Sequence, residues 1–283
     1  MSAIRLTLIK AFTQDPSKGN PAVVIEGPID SEESFKAVQQ APYGVAAVID
    51  TRATDKIPIR FFYENGLTET FACGHATLAA AYVAFPTQKE QVIRSFVNTK
   101  GVVINVVRLP DGRISQTQPA PEFKNFEDPK KDIAHALGIS PSEILESPPV
   151  QLVGALDKMK LKIPVSLKTL LAIQRNFTTI RQFLNNYSTT DTAITGLVPF
   201  ALDVEGCDIH ARHFPNRDEE DLVCGVGSAA LAKYSQAYIK PEQTDFNMRW
   251  GPGKEGAGNA IVKTNISQDG KILLEGYAVL VSS

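Results

Sequence analysis

The sequence has little of what marks metal, membrane or disulfide-stapled proteins. Among its 283 residues there are only 3 cysteines. An odd, sparse count fits reduced thiols in a cytoplasmic protein better than a disulfide framework. The 4 histidines, His75, His135, His210 and His213, form no His-x-x-x-His pair, and the cysteines form no Cys-x-x-Cys pair. No metal site is expected from that spacing. A phosphate-binding Gly-x-x-x-x-Gly-Lys loop is missing, and so is a Gly-x-Ser-x-Gly elbow. The glycines from Gly251 to Gly258 lie between strand-like segments and open no helix. They predict a turn rather than a dinucleotide site, so no cofactor is expected. With 29 Lys and Arg against 31 Asp and Glu, the net charge is −2. That balance gives no electrostatic footprint for nucleic acid or an anionic membrane. No apolar run reaches the roughly 18 residues a spanning helix needs. Met1 to Phe12 reads as a strand containing Arg5 and Lys10, without the apolar core of a secretion signal.

What the chain does have is one small pattern twice. Phe71-Ala72-Cys73-Gly74-His75-Ala76-Thr77-Leu78-Ala79-Ala80 and Leu222-Val223-Cys224-Gly225-Val226-Gly227-Ser228-Ala229-Ala230-Leu231 each open an alanine-rich, helix-favouring run with Cys-Gly. A glutamate precedes each cysteine by four residues, Glu69 and Glu220. A β-like segment containing Arg60-Phe61-Phe62 or Arg212-His213-Phe214 precedes each glutamate.

The patterning predicts strands over Ile4–Phe12, Ala22–Ile25, Ala46–Asp50 and Ile57–Tyr63, with a helix over about Ser31–Gln40. A buried helix follows over Gly74–Phe85, ended by Pro86. Val92–Val97, Val102–Leu109 and Ile114–Thr117 read as a meander with turns at Gly101 and Gly112. Composition shifts at Pro119-Ala120-Pro121. Helices are then predicted over Asp128–Leu137, Pro141–Leu145 and Thr178–Asn186. Strands are predicted over Thr192–Leu202 and Asp208–Phe214, and a second buried helix over about Gly225–Ile239. Phe246–Trp250, Asn259–Ile266 and Lys271–Val281 close the chain as strands. The fold class expected is α+β, with two similar domains, each a curved and mostly antiparallel sheet around a central helix. The domains expected are residues 1–118, with strand 271–283 as a candidate to pack there, and residues 119–270, with the active site in a cleft between them.

These residues resemble a known family. Phe12-Thr13 with Gly19-Asn20-Pro21-Ala22-Val23-Val24 resembles the N-terminal signature of the phenazine-biosynthesis (PhzF-like) proteins. Cys73 to Ala81 resembles their central motif closely, and Glu220 to Gly227 matches their second motif, EDPxTGSA, loosely. The likeness runs along nearly the whole chain. It implies the diaminopimelate-epimerase-like fold, whose members include cofactor-independent racemases, epimerases and isomerases, and it implies a homodimer.

Three positions depart from the family pattern. The acid/base glutamate of the PhzF-like isomerases falls on Val45, which cannot carry a proton. The threonine and serine of the second motif are Cys224 and Val226. His75 and Asp221 match the family's functional histidine and aspartate. A cysteine at both Cys73 and Cys224 instead resembles proline racemases and diaminopimelate epimerases, which present one thiol from each domain.

Inverting a carbon that bears hydrogen requires removing a proton from one face and returning one to the other. A thiolate at a helix N-terminus suits this, because its pKa can fall from about 8.5 to roughly 3.5–7.5. Two such thiols serving one carbon must lie roughly 4–8 Å apart. The N–H groups around Gly74-His75 and Gly225-Val226-Gly227 would bind a carboxylate or enolate oxygen, with Thr77 and Ser228 as further hydroxyl donors. Asn20 is a further substrate-binding candidate, with a plainer reading as a turn-forming residue that orders the cleft. Each residue also has a plainer reading. Cys207 is a small buried hydrophobe. Asp221 could cap a helix. Glu69 and Glu220 could be solvated strand-end charges, and His210 and His213, three apart on one strand, would point to opposite faces. The leading expectation is an isomerase of a small carboxylate-bearing metabolite using Cys73 and Cys224. The alternatives are a PhzF-like isomerase of a cyclic or conjugated molecule using His75 and Asp221, and a family member that binds a metabolite or partner without catalysis.

Overall fold

The computed structural model describes residues 4–53, 56–63, 66, 68–85, 93–127, 129–156, 158–253 and 261–281. The helix stop expected at Pro86 and the glycine turn beyond Gly253 lie outside the described residues. So do the first residues of the elements expected to begin at Val92, Asp128 and Asn259. The chain divides into two compact units, one of residues 1–118 with 273–283, the other of residues 119–272.

The first unit contains β1 (Arg5–Ala11), β2 (Asn20–Glu26), α1 (Glu32–Gln39), β3 (Val45–Ile49), β4 (Lys56–Tyr63), β5 (Thr68–Thr70), α2 (Gly74–Ala84), β6 (Arg94–Val97), β7 (Val103–Arg108) and β8 (Ile114–Gln118). The second contains β9 (Glu122–Lys124), α3 (Lys130–Leu137), β10 (Gln151–Ala155), β11 (Lys158–Pro164), α4 (Leu167–Ala172), α5 (Phe177–Tyr187), β12 (Ile194–Val204), β13 (Cys207–Ala211), β14 (Phe214–Pro215), α6 (Gly225–Tyr238), β15 (Asp245–Trp250) and β16 (Ile261–Ile266). The chain then returns to the first unit with β17 (Ile272–Gly276) and β18 (Ala278–Leu280).

In the first unit β1 runs antiparallel to β2 and to β18, β2 is parallel to β3, and β3 is antiparallel to β4. Residues Val23, Val24, Ile25 and all of β3 are buried, because the two strands are covered on both faces. Val23, Ile25, Ala46 and Val48 pack with Val38 of α1, and the intervening residues are left for α2, which contacts β2 and β3. Helix α2 can lie there because its first eight residues, four of them alanine, are all buried and mostly small. Its start is fixed from outside. Asn98 Nδ2 donates to Phe71 O at 2.7 Å, and Gln116 Nε2 donates to Gly74 O at 2.7 Å.

In the second unit β9, β10 and β11 are antiparallel in turn, and β11 is parallel to β12. β12 pairs antiparallel with β13 and β14, β13 is parallel to β15, and β15 is antiparallel to β16. Helix α6 packs against β10, β11, β15 and β16, and its residues Gly225 to Ala232 are buried. The central helices thus match expectation within a residue. Other elements differ. The expected helix at Pro141–Leu145 is a single 3₁₀ turn, Pro141–Glu143, because Ile144 is drawn into the core and bridges Val165. The expected strand over Asp208–Phe214 breaks at Arg212, and the β10–β11 hairpin is not predicted by the patterning. Among the described residues no helix is long and apolar enough to cross a membrane.

Candidate active site

Each buried helix begins at a cysteine. Cys73 is the N-cap of α2 and Cys224 the N-cap of α6, both with extended backbone. Both thiols are free and buried.

In the first unit Cys73 Sγ lies 3.6 Å from Nδ1 and 3.9 Å from Nε2 of His75. The Tyr63 hydroxyl, at the end of β4, donates to Sγ at 3.2 Å. Burial pushes the Cys73 thiol up, but the His75 ring and the Tyr63 hydroxyl favour the thiolate and bring it below its ordinary value. Val45, where the resemblance puts a glutamate, is buried and directly opposite Tyr63 in the β3–β4 register. Tyr63 was not singled out from the sequence. Asn20 opens β2 opposite Ala11 and is buried. It follows Gly19, where φ is +71° and a Cβ would meet Ala11 O at 2.4 Å, so only glycine fits.

In the second unit Cys224 is joined by His213 and Asp221. One ring nitrogen of His213, a carboxylate oxygen of Asp221 and Cys224 Sγ all lie within 4.8 Å of one another. His213 Nδ1 and Asp221 Oδ2 are 3.0 Å apart. The backbone supports the pair, since Asp221 N–H donates to His213 O at 3.1 Å. The Gly227 N–H donates to Cys224 Sγ at 3.3 Å. Gly227 must be glycine, because a Cβ there would lie 2.8 Å from that sulfur and 3.0 Å from Trp250. Burial pushes the Cys224 thiol up, yet the charges of His213 and Lys160 and the His213 contact outweigh it, against the opposing charge of Asp221. The balance brings the thiol down to about 7.

Several plainer readings change. Asp221 does not cap α6, since Cys224 does, and Asp221 instead orients His213. His213 is therefore part of the cluster, while His210 is buried elsewhere with Nε2 donating to Gly251 O at 2.9 Å. Thr77 and Ser228 are not spare hydroxyl donors. Thr77 donates to Cys73 O at 2.9 Å and Ser228 to Cys224 O at 3.0 Å, one turn back along each helix. Ser228 also accepts from Trp250 Nε1 at 2.9 Å. Glu69 and Glu220 are each held by an arginine, and only Glu220 is shut off from water. Arg60 holds Glu69 through Nε at 3.1 Å and Nη2 at 2.9 Å. Arg212 holds Glu220 through Nε at 3.0 Å and Nη2 at 2.9 Å. Arg212 spends its remaining Nη1 donors on Leu170 O and Ile173 O at the end of α4. Cys207, half-buried, packs on the second unit's core.

Two lysines were missed. Lys160 and Lys162 lie two apart on β11, hence on one face, and both are buried. Lys160 Nζ donates to Thr195 Oγ1 at 3.2 Å, while Lys162 Nζ has no hydrogen-bond partner among the described residues. Burial brings Lys162 down to about 7, helped by the Lys160 charge and opposed by Cys224. By donor type His213, Asp221 and Cys224 suit zinc. The positive charge of the lysines beside them opposes a cation, and His213 and Asp221 use their facing atoms on each other, so the trio fits proton transfer better.

The profile of the phenazine biosynthesis-like (PhzC-PhzF) proteins matches residues 9–283. The chain belongs to that family. Its relatives include the uncharacterized isomerase YfhB of Bacillus subtilis, 30% identical over 87% of this chain and 86% of that protein. Another is an uncharacterized isomerase of Clostridium acetobutylicum, 28% identical over 96% of this chain and 94% of that one. Among solved structures, the PhzF-family protein of Bacillus anthracis superposes with a TM-score of 0.80 at 21% identity, covering 100% of this chain and 98% of that chain. A hydroxyproline epimerase of Agrobacterium vitis, solved with trans-4-hydroxy-L-proline, superposes at 0.60 with 10% identity, covering 99% and 91%. The α+β, epimerase-like fold class expected from the sequence is the one these neighbours share. The isomerase relatives and the fold together support an isomerase-type function for this PhzF-family chain.

Proposed function

We propose that the protein is a cofactor-independent racemase or epimerase acting on a small carboxylate-bearing metabolite, with Cys73 and Cys224 as its two acid/base groups. The observation that carries this reading is Cys224, a helix N-cap thiol at about 7 beside a histidine held by an aspartate. A base with that pKa is matched to proton transfer at neutral pH. Cys73 repeats the placement, with His75 and Tyr63 in the supporting roles.

In this reading one sulfur starts as thiolate and removes the proton on carbon, while the other starts as thiol and returns a proton to the opposite face. The carbanion delocalises into the substrate's carboxylate, whose oxygens are drawn to the positive ends of α2 and α6. Asp221 holds the His213 ring, and His213 favours the Cys224 thiolate. Val45 takes no part in proton transfer, which accounts for an isomerase that dispenses with the glutamate.

The test is incubation in D₂O with a panel of chiral amino acids and hydroxy acids, read by mass spectrometry. Deuterium should enter at the carbon next to the carboxylate, and Cys73→Ser and Cys224→Ser should each abolish it. Exchange that survives both substitutions points to His75 and Asp221 acting on a cyclic or conjugated molecule. Binding without exchange points to a non-catalytic member.

A further inference from the structure

The two lysines of β11 have no part in the proton transfer described above. Alternating charge and apolar residues in Lys158-Met159-Lys160-Leu161-Lys162-Ile163 normally place lysines in water. Here Lys160 is 3% exposed and Lys162 0% exposed. A buried ammonium is costly unless something inside compensates it. Lys160 has the Thr195 hydroxyl as acceptor, whereas Lys162 Nζ has no hydrogen-bond acceptor among the described residues. Two ammonium groups side by side in a dry interior repel, so the pair carries one proton more readily than two.

One anion that this charge meets is the Cys224 thiolate, since Cys224 caps α6 and α6 packs on β11. The Lys160 charge acts on Cys224, and the Cys224 charge acts on Lys162. We propose that Lys160 and Lys162 are positioning residues that share one positive charge and use it to keep Cys224 as a thiolate, making Cys224 the resting base. With Cys73 as the resting acid, this rests on the two-thiol reading; the hold on the thiolate does not.

Of the other charged groups near this face, His213 acts in the same direction and more strongly than Lys160, and the rest do not. His213 favours the thiolate and Asp221 opposes it. Arg217 lies 4.0 Å from Asp221. Arg212 and Glu220 neutralise each other. Strand β10 carries no titratable side chain. On β12 Asp203 pairs with Lys240, and on α6 Lys233 bonds Gln236 while Tyr234 donates to Pro149 O. Lys158 lies at the strand's start, and on β15 and β16 Asp245 and Lys263 are exposed and Arg249 is beside Cys207.

The experiment is an ultraviolet titration of thiolate absorbance in the full chain without substrate. Subtracting the curve of Cys224→Ser, and separately that of Cys73→Ser, isolates each thiol. Cys224 should titrate below Cys73 in the unsubstituted protein. Lys160→Met or Lys162→Met alone should change the Cys224 curve little, because the remaining lysine takes the proton. The double variant should raise it by at least one pKa unit, about a tenfold loss of thiolate below the midpoint. A merely structural pair would not give this all-or-none response. Methionine fills similar volume and removes buried charge, which proteins often tolerate or gain from. A Cys224 curve unchanged in the double variant overturns the proposal. If that variant does not fold, Cys224 titrating above Cys73 in the unsubstituted protein overturns it. Because no substrate is present, the outcome is independent of whether D₂O exchange supports the isomerase reading.

Discussion

His213 and Asp221 are joined twice, by a 3.0 Å contact between Nδ1 and Oδ2 and by a 3.1 Å backbone hydrogen bond from Asp221 N–H to His213 O. The side-chain contact fixes the ring, and the backbone bridge fixes the approach of the chain to Cys224. His213→Asn should raise the Cys224 thiol from about 7 towards its ordinary 9.0, because the largest force lowering it is gone. Exchange at neutral pH should fall by about 10²-fold, as for loss of acid/base assistance. A thiolate titration and an exchange assay on the same preparation check both, and an unmoved Cys224 curve would show that His213 is only packing.

The equivalent arginine–glutamate pairs should differ in their worth. Arg212 and Glu220 have side chains only 2% and 1% exposed, whereas Arg60 and Glu69 are 23% and 28% exposed. Removing Glu220 strands a buried guanidinium, so Glu220→Ala should cost about 3–5 kcal/mol. Glu69→Ala leaves a guanidinium that water can reach and Asp30 still pairs, so it should cost less, about 1 kcal/mol. Urea unfolding of the two variants measures the contrast. Equal losses would mean that the second pair is solvated in solution.

Restoring the family's carboxylate should harm this protein. Val45 is directly opposite Tyr63, whose hydroxyl donates to Cys73. In Val45→Glu the new carboxylate would compete for that hydroxyl, and its charge would raise the thiol beside it. Exchange should fall and the Cys73 titration should move up. A gain of ring-isomerising turnover would instead mean that the glutamate chemistry is latent here.

Stability should rise with pH across the range set by Lys162 and Cys224. Lys162 is lowered from 10.5 to about 7, and Cys224 from 9.0 to about 7. Both groups release their protons earlier when folded. Between about pH 7 and pH 9 the unfolded chain therefore binds more protons, and raising the pH favours the fold. As the pH falls through about 7 both groups become protonated in both states and this contribution is lost. The urea midpoint should be higher at about pH 9 than at about pH 7, with a smaller rise in Lys162→Met. A flat midpoint would contradict the lowered proton affinity of these two groups in the folded chain.

The two central helices and the two cysteines were legible because the signal is local. An apolar alanine run after Cys-Gly has no reasonable place but inside, and a cysteine just before it becomes the N-cap. The surroundings of Cys224 were not legible, because they depend on tertiary placement. His210 and His213 would face opposite sides of one continuous strand, but the chain leaves the β13 ladder at Arg212, and His213 meets Asp221 instead. Lys160 and Lys162 carry the alternation of a half-exposed strand, yet both are buried in a strand on which α6 packs. Glu69 and Glu220 were visible as a repeat, and the arginines Arg60 and Arg212 that hold them were in the same repeat. Pairing them was the inference that the sequence allowed.

Whether one substrate is served by both thiols can be read with a short thiol-to-thiol cross-linker such as dibromobimane. Two sulfurs that act on one carbon must come within roughly 4–8 Å of each other. A fluorescent, intramolecular bridge should form between Cys73 and Cys224, mapped by peptide mass spectrometry, with loss of exchange activity and protection by substrate. Cys207→Ser should leave the bridge in place. Separate modification of Cys73 and Cys224 with no bridge, under conditions where each reacts, would contradict service of one substrate by both thiols.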